Sequence, residues 1–395
     1  MSRILHFGPG NFFRAHLAEY TFDAGGWQIT AVSLRSPAFR DQLDVTQGYS
    51  LAVQGQKTRQ INVIDRVLVA PTDRAAVLVQ IQDPTVAVIS ATVTEKGYYL
   101  GVDGALDLNA APIVADLAGN PNTLIGYLAH GLAARKTPVT VLSCDNRLGN
   151  GEALGAAVHA FARAAQLDIR CDVSFPNAMV DRITPATSQA LREHTGDPLV
   201  VPCEPFKEWV IEDRFAGPRP NWPDVLWVEN VAPHEARKLR MLNGAHSYLA
   251  YAGILAGYDF VHQAIADPAL RAGARAVMDE AAATLPQDIR MQAPAYADAL
   301  IQRFENSHLD HALRQIAMDG SQKLPYRIVD TLRLRDGQGL GLRAAIQAWV
   351  AFCQAETGAG RAVQDPKAAQ IFIAHSAGSL WDLIGARDLY LEGEP

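Results

Sequence analysis

Residues Arg3-Ile4-Leu5-His6-Phe7 form a short, mainly apolar run that passes through Gly8-Pro9-Gly10-Asn11-Phe12-Phe13-Arg14-Ala15-His16 into a helix-compatible stretch, Leu17-Ala18-Glu19-Tyr20. The run suits a buried parallel strand. Strand, glycine turn and helix in this order are the setting in which a dinucleotide fingerprint has physical meaning. Gly8 permits the tight turn, Gly10 lets the backbone approach a pyrophosphate, and the unsatisfied N–H groups at the helix start bind that anion. The third glycine of G-x-G-x-x-G is missing, because Phe13 stands there. Taken alone the turn is a weak signal, and a tight structural turn without a ligand fits it as well.

More strand candidates follow at Ile29-Thr30-Ala31-Val32, Val86-Ala87-Val88-Ile89 and Val139-Thr140-Val141-Leu142, with helix-compatible stretches such as 75–82 and 123–134 between them. That alternation predicts an α/β domain of Rossmann type with a mainly parallel sheet, whose binding crevice lies at the C-terminal ends of the strands. Two such ends are polar, Thr94-Glu95-Lys96-Gly97-Tyr98 and Ser143-Cys144-Asp145-Asn146. Both suit a site, and loop capping explains either of them too. After the second strand, enzymes that prefer NAD often place an acid for the ribose 2′-OH. Here the chain reads Ser33-Leu34-Arg35-Ser36-Pro37, with Arg40 close behind. A basic, acid-free turn could instead receive the 2′-phosphate of NADP, so both cofactors stay open.

From about Ala232 onward helical periodicity dominates, with candidates at 234–256, 267–285, 294–304, 342–355 and 366–374. Asp267 followed by Pro268 is a good helix start, a capping side chain and then a first-turn proline. The expected organisation is a dinucleotide-binding domain over 1–230 and an all-α, substrate-binding domain over 231–395.

The first of these helices holds His234-Glu235-Ala236-Arg237-Lys238-Leu239-Arg240-Met241-Leu242-Asn243-Gly244-Ala245-His246-Ser247. At about 100° per residue, with Glu235 at zero, Lys238 falls at roughly −60°, Asn243 at about +80° and His246 at about +20°. These four share one arc with Leu239 and Leu242, while Arg237 and Arg240 point the other way, towards solvent. A lysine on an apolar-flanked face is desolvated and loses its proton more easily, the condition for a lysine base near neutral pH. A solvated lysine beside two core-facing polar residues fits the same spacing.

Composition narrows the function. A net charge of −7 and a pI near 5.9 argue against a nucleic-acid partner, whose phosphates favour a basic footprint. No apolar run approaches the roughly 20 residues of a transmembrane helix. With a strand beginning by Arg3 there is no room for a signal peptide before the fold, and a cytoplasmic protein without a membrane partner is expected. Cys144, Cys171, Cys203 and Cys353 are scattered, and no Cys/His cluster suggests a metal site.

Taken together, these segments resemble the long-chain mannitol dehydrogenase family, which also contains fructuronate and tagaturonate reductases. The likeness covers most of the chain. It includes Gly8-x-Gly10-x-Phe12-x-Arg14-Ala15-His16, Thr94-Glu95-Lys96-Gly97-Tyr98, Ser143-Cys144-Asp145-Asn146 and Phe175-Pro176-Asn177-Ala178-Met179-Val180-Asp181-Arg182. Further on come Glu208-Trp209-Val210-Ile211-Glu212-Asp213, Lys238-x4-Asn243-x2-His246 and Asp319-Gly320-Ser321-x-Lys323. The resemblance implies metal-free hydride transfer between NAD or NADP and a sugar-type ketone or its alcohol, with the active site between the two domains. Lys238 would be the base in oxidation and the acid in reduction. Asn146 and Asn243 would donate hydrogen bonds to the developing alkoxide, His246 would orient the substrate and Glu235 would help carry the proton to solvent. Gly8, Gly10, Asn11, Phe12, Arg35, Thr94 and Glu95 would meet the cofactor, and Asp181, Lys323 and Arg327 the substrate.

The chain also departs from the usual pattern. It is shorter than the usual long-chain members, which implies trimmed surface elements, and it carries Gln315 where mannitol-oxidising members carry arginine. The runs around Gln315–Pro325 and Arg240–Tyr251 look more like the fructuronate reductase branch. Reduction of fructuronate to mannonate is therefore the leading expectation, and oxidation of mannitol or of another polyol such as arabinitol or sorbitol its rival. An acid substrate needs a cation at one end, which Lys323, Arg327 or Arg240 could supply. A silent NAD(H)-binding sensor is the remaining alternative; it would need none of Lys238, Asn146, Asn243 and His246. A small-molecule substrate and a monomer or weak homo-oligomer complete the expectation.

Overall fold

The computed structural model describes residues 2–101, 103–308, 310–374 and 376–390; the side chain of Glu95, one of the expected cofactor contacts, lies outside the described ones. The chain divides into two compact units, Met1–Ala232 and Pro233–Pro395.

The N-terminal unit is built on a six-stranded sheet of β1 (Arg3–Phe7), β2 (Gln28–Ser33), β3 (Ile64–Val69), β4 (Val86–Ala91), β5 (Val139–Ser143) and β6 (Val173–Ser174). Every neighbouring pair is parallel, and the spatial order is 3-2-1-4-5-6. This is the doubly wound Rossmann order, with its switch point beside β1, where ligands bind such sheets. The central strands are buried on both faces, which explains their continuous apolar runs. One face packs Phe7, Val32 and Ile89 against Tyr127 and Phe161 of the flanking helices Leu124–Ala134 and Asn150–Ala164. The other packs Ile4, Ala31 and Val88 with Tyr49, Leu51 and Trp209. Burying one such Val, Leu, Ile or Phe side chain stabilises by about 1.5–3 kcal/mol, so a charge at Val88 would break the sheet at its centre.

Strand β3 escapes the sequence pattern. Asp65 and Arg66 interrupt its apolar run, and both are exposed because β3 is an edge. Two three-stranded sheets complete the unit. One joins Tyr49–Val53 to Arg59–Ile61 and Val201–Cys203; the other joins Ala178–Asp181 to Glu208–Glu212 and Leu226–Val228.

The C-terminal unit is helical. Gly244–Leu255 packs against Pro268–Ala282 and Leu340–Gly358, burying Leu249, Met278 and Trp349 together. Asp267 caps its helix, accepting from the amides of Ala269 (2.8 Å) and Leu270 (3.2 Å) ahead of first-turn Pro268. Other boundaries differ from expectation. The helix expected from Pro294 begins at Gln287, with Pro294 in its interior. The carbonyl that loses its partner there belongs to exposed Arg290, where water can take the amide's place. The start of Leu340–Gly358 is fixed from a distance: Glu280 accepts from the amides of Gly341 and Leu342, both at 2.9 Å. No local signal in the sequence could place that cap. Among the described residues no helix is long and apolar enough to cross a membrane.

Candidate functional site

In the N-terminal unit the turn after β1 is held from β4. Gly8 has φ +92°, a backbone state that favours glycine, and its amide donates to Val32 O (3.0 Å). Its carbonyl accepts from Thr92 Oγ1 (2.6 Å), and the His6 ring contacts the same carbonyl (3.2 Å), Thr92 Oγ1 (3.2 Å) and Ser90 Oγ (2.8 Å). A Cβ on Gly10 would meet only Gly8 O, at 4.0 Å. The space over Gly10 is therefore open, the cradle a pyrophosphate needs beside the helix's orphan amides.

Phe13, in place of the third glycine, is fully buried and stacks on His6 at 3.6 Å. The stack fills the gap that close helix–strand approach closes in the three-glycine form. The expected helix is broken, Asn11–Ala15 and Leu17–Ala24 being separated at His16 (φ −129°, ψ −95°). His16 is buried against Tyr20 and Trp209 and touches Glu208 O (3.3 Å), so the break is set by tertiary packing. Asn11 accepts from Arg14 (2.6 Å) and donates to Thr187 (3.4 Å); Phe12 stacks on His16 at 4.9 Å. Of this cluster, sequence reasoning missed His6, Ser90 and Thr92. A histidine inside an apolar strand was the one available signal.

Arg35 lies just past β2, exposed, and forms no hydrogen bond or ion pair among the described residues. Arg40 instead pairs with Asp41 (3.2 Å) and Asp73 (3.6 Å). The two polar strand ends are joined: Tyr98 Oη and Ser143 Oγ are 2.5 Å apart, linking the turn after β4 to the end of β5. Thr94 is exposed and precedes the short helical turn Glu95–Tyr98. Asn146 is also exposed, with its backbone N–H donating to Asp145 Oδ1 (2.7 Å). Asp181 ends its strand opposite Glu208 and is buried.

In the C-terminal unit the expected continuous α-helix is interrupted. Ala232–Arg237 leads into a π-helical segment, Lys238–Asn243, before Gly244–Leu255 resumes. In an α-helix, residues five apart diverge by about 140°. The i→i+5 ladder of a π segment instead sets residues five apart one turn above the other. Lys238 and Asn243, which the α-helical wheel set on one arc but about 140° apart, are thereby brought into line. Glu235, Lys238 and His246 are buried, and Asn243 is half-buried.

Arg237 does not face solvent as expected. It is buried, its guanidinium over the Tyr296 ring at 4.2 Å, because an arginine stem and planar head pack well on an aromatic face. Arg240 donates to Thr284 O (3.2 Å) and Oγ1 (3.1 Å) and is half-buried.

A second π segment, Pro325–Val329, packs against the first. Pro325 stands between Gly320–Leu324 and Asp330–Arg333, and its missing N–H and bulky ring break the α ladder there. This segment carries Arg327, whose Nη1 donates to Ser247 Oγ (3.3 Å). No carboxylate among the described residues pairs with Arg327, and burial lowers its pKa. Lys323 places its ammonium on Met318 O (2.6 Å) and Ile316 O (3.5 Å), and burial lowers its pKa as well.

His246 has a buried Nε2 without a partner, packs on Phe304 at 4.4 Å and meets His311 at 5.3 Å. Burial first, then the charges of His311, Arg303 and Arg327, hold its pKa well below the usual histidine range, so the ring is neutral at neutral pH. His311 gave no signal in the sequence. Among the described residues no group of three or more His, Cys, Asp or Glu is placed to hold a metal.

A doubly wound sheet with an open glycine turn at its switch point, followed by a helical unit bearing lysine, amide and imidazole on one interrupted helix, is the build of a two-domain, nucleotide-linked oxidoreductase. The profile of the mannitol dehydrogenase Rossmann domain matches residues 2–224, and that of the mannitol dehydrogenase C-terminal domain residues 230–379. The chain belongs to the mannitol dehydrogenase family of oxidoreductases. It is 38% identical to the D-mannonate oxidoreductase of Escherichia coli (strain K12), over 93% of this chain and 84% of that one. It is 35% identical to a mannitol 2-dehydrogenase of Cereibacter sphaeroides, over 91% and 83%. Among solved structures, Pseudomonas fluorescens mannitol 2-dehydrogenase in ternary complex with NAD and D-mannitol matches with a TM-score of 0.79 and 33% identity, covering 100% of this chain and 87% of that one.

Proposed function

We propose that the protein reduces a keto-sugar acid, fructuronate to mannonate in the leading case, and runs the reverse oxidation with the same residues. The observation that carries this reading is the π segment that puts buried Lys238 and half-buried Asn243 on one face, with His246 following. Arg327, half-buried and without a carboxylate partner among the described residues, favours an acidic substrate over a neutral polyol. The family also includes mannitol dehydrogenases, so polyol oxidation is the second reading.

The turn at Gly8, Gly10, Asn11 and Phe12, with Thr94 and Glu95, would hold NAD or NADP, and exposed Arg35 past an acid-free strand end would meet a 2′-phosphate. When bound, the nicotinamide supplies the hydride. Lys238, as ammonium, gives its proton to the carbonyl oxygen as that oxygen gains charge, and is left as the neutral amine. Glu235 returns a proton to it from solvent. Asn243, and Asn146 of the N-terminal unit, donate N–H to the oxygen throughout, so charge develops against fixed dipoles. Neutral His246 orients the substrate, and Asp181 and Lys323 shape the pocket. No step in this scheme calls for a metal.

The test is hydride transfer followed by nicotinamide absorbance with keto-sugar acids, ketoses and polyols. Wild type should turn over a keto acid best. Lys238→Ala should lose roughly 10²–10⁴-fold in the chemical step and regain part of it with added primary amines. A wild-type rate of hydride transfer in Lys238→Ala would make the lysine structural and the scheme wrong.

A further inference from the structure

His246 is only 8% exposed, yet its Nε2 has no hydrogen-bond partner. Its ring is met edge-on by His311, with 5.3 Å between centroids and 79° between planes. His311 is held there by its backbone rather than by its side chain. Its carbonyl accepts from Val261 N (3.1 Å), Phe260 and Ala312 form a bridge, and Leu313 N donates to Asp259 O (2.9 Å). Among the described residues no hydrogen bond is made to the His311 ring, which is half-buried. Arg327 binds Ser247, the residue after His246, and its own buried Nε is likewise without a partner.

The two imidazoles thus meet edge-on, and Arg327, tied to the next residue of the helix, is close enough for its charge to bear on His246. Burial keeps both rings below the usual histidine pKa, so at neutral pH they are uncharged N–H donors. The uncompensated charge is that of Arg327, since Lys323 is committed to two carbonyls and Arg303, which also bears on His246, has partners of its own. Leaving the buried Nε2 of His246 and the buried Nε of Arg327 unmatched is costly unless a ligand completes them. One net positive charge beside neutral donors suits a monoanion; a phosphate dianion would call for a second free cation.

We propose that His311, together with His246 and Arg327, forms the subsite for the substrate's carboxylate, with His311 as a specificity-determining residue that no motif of the family marked. Arg327 supplies the charge, and the imidazoles fix the orientation of the two oxygens. This rests on the keto-acid reading above, and the test separates the two.

Steady-state kinetics of wild type, His311→Leu, His311→Gln and Arg327→Gln would be measured on the full chain with fructuronate and with fructose, its neutral counterpart. In His311→Leu the ratio of kcat/KM for acid over ketose should fall about tenfold, mainly through KM for the acid. His311→Gln, which keeps an N–H donor, should recover part of that, and Arg327→Gln should lose acid preference most. An unchanged ratio in His311→Leu, or in His311→Gln should the leucine variant not fold, overturns the role of His311. If wild type itself ignores the acid and reduces only fructose, it is the keto-acid reading that fails, before any variant is compared.

Discussion

The imidazole of His6 is fully buried in β1, and that burial pushes its pKa down to about 3; His16, at the helix break, is held at about 3 for the same reason. In the unfolded chain each would take up a proton near pH 6.5. Between those values the unfolded state binds more protons, so the stability the two rings contribute is complete above about pH 6.5 and is lost as the pH falls towards 3. By pH 5 the loss is about 2 kcal/mol for each ring, a pKa unit being worth about 1.4 kcal/mol. The melting temperature should therefore hold between pH 8 and 7 and drop on acidification to pH 5. In His6→Asn the pH dependence over that range should be shallower by one titrating group. A melting temperature that stays level from pH 7 to pH 5 in the wild type would contradict the buried, neutral assignment. The glycines of this turn were legible in the sequence because a backbone requirement is local. His6 was not, because its partners Ser90 and Thr92 are brought to it only by the pairing of β1 with β4.

At the scale of elements, the two π segments decide where the polar side chains of the helical unit point. The Pro325 break could have been suspected from its sequence, since a proline inside helical periodicity must break the ladder. The Lys238–Asn243 segment carries no such mark, and a 3.6-residue wheel, which puts the two on one arc, leaves them about 140° apart. Close packing also fixes the start of the helix behind Lys323. Asp319 has φ +58°, and a Cβ on Gly320 would lie 2.5 Å from both Trp349 Nε1 and Tyr251 Oη, two buried rings that cannot yield. Gly320→Ala should destabilise the unit by roughly 1–3 kcal/mol, the usual cost of overpacking a core. Gly358→Ala, where the added carbon meets nothing within 4 Å, should be neutral or slightly stabilising. Thermal unfolding of the two variants side by side checks this; equal melting temperatures would mean that the rings move aside.

For the whole molecule, nucleotide binding and proton transfer are assigned to different units, and that division is testable by linkage. A ligand bound only by the folded state stabilises it by about 2.7 kcal/mol at a hundredfold excess over Kd. NADH or NADPH should therefore raise the melting temperature of Lys238→Ala as much as that of wild type. Gly10→Val should fold, because the space over Gly10 is open in the protein, but should give a clearly smaller shift at the same nucleotide concentration. A lost shift in Lys238→Ala, or a full one in Gly10→Val, would reverse the assignment.

The sequence alone determined the parallel nucleotide-binding sheet, the helical second half and the family. Each is written in short-range terms: strand-length apolar runs, a glycine turn between strand and helix, 3.6-residue periodicity, and motifs in a fixed order. It was silent where the deciding partner lies far along the chain. The edge strand β3 is recognisable only once β2 pairs with it, and the cap from Glu280 only once two helices meet. The π-helical alignment of Lys238 with Asn243 and the approach of His311 to His246 likewise depend on how the helices pack. Such features are settled by burial and by hydrogen bonds that exist only in the folded chain, so the helical framework could be read from the residues in order, while the way its polar side chains converge was decided by the tertiary structure.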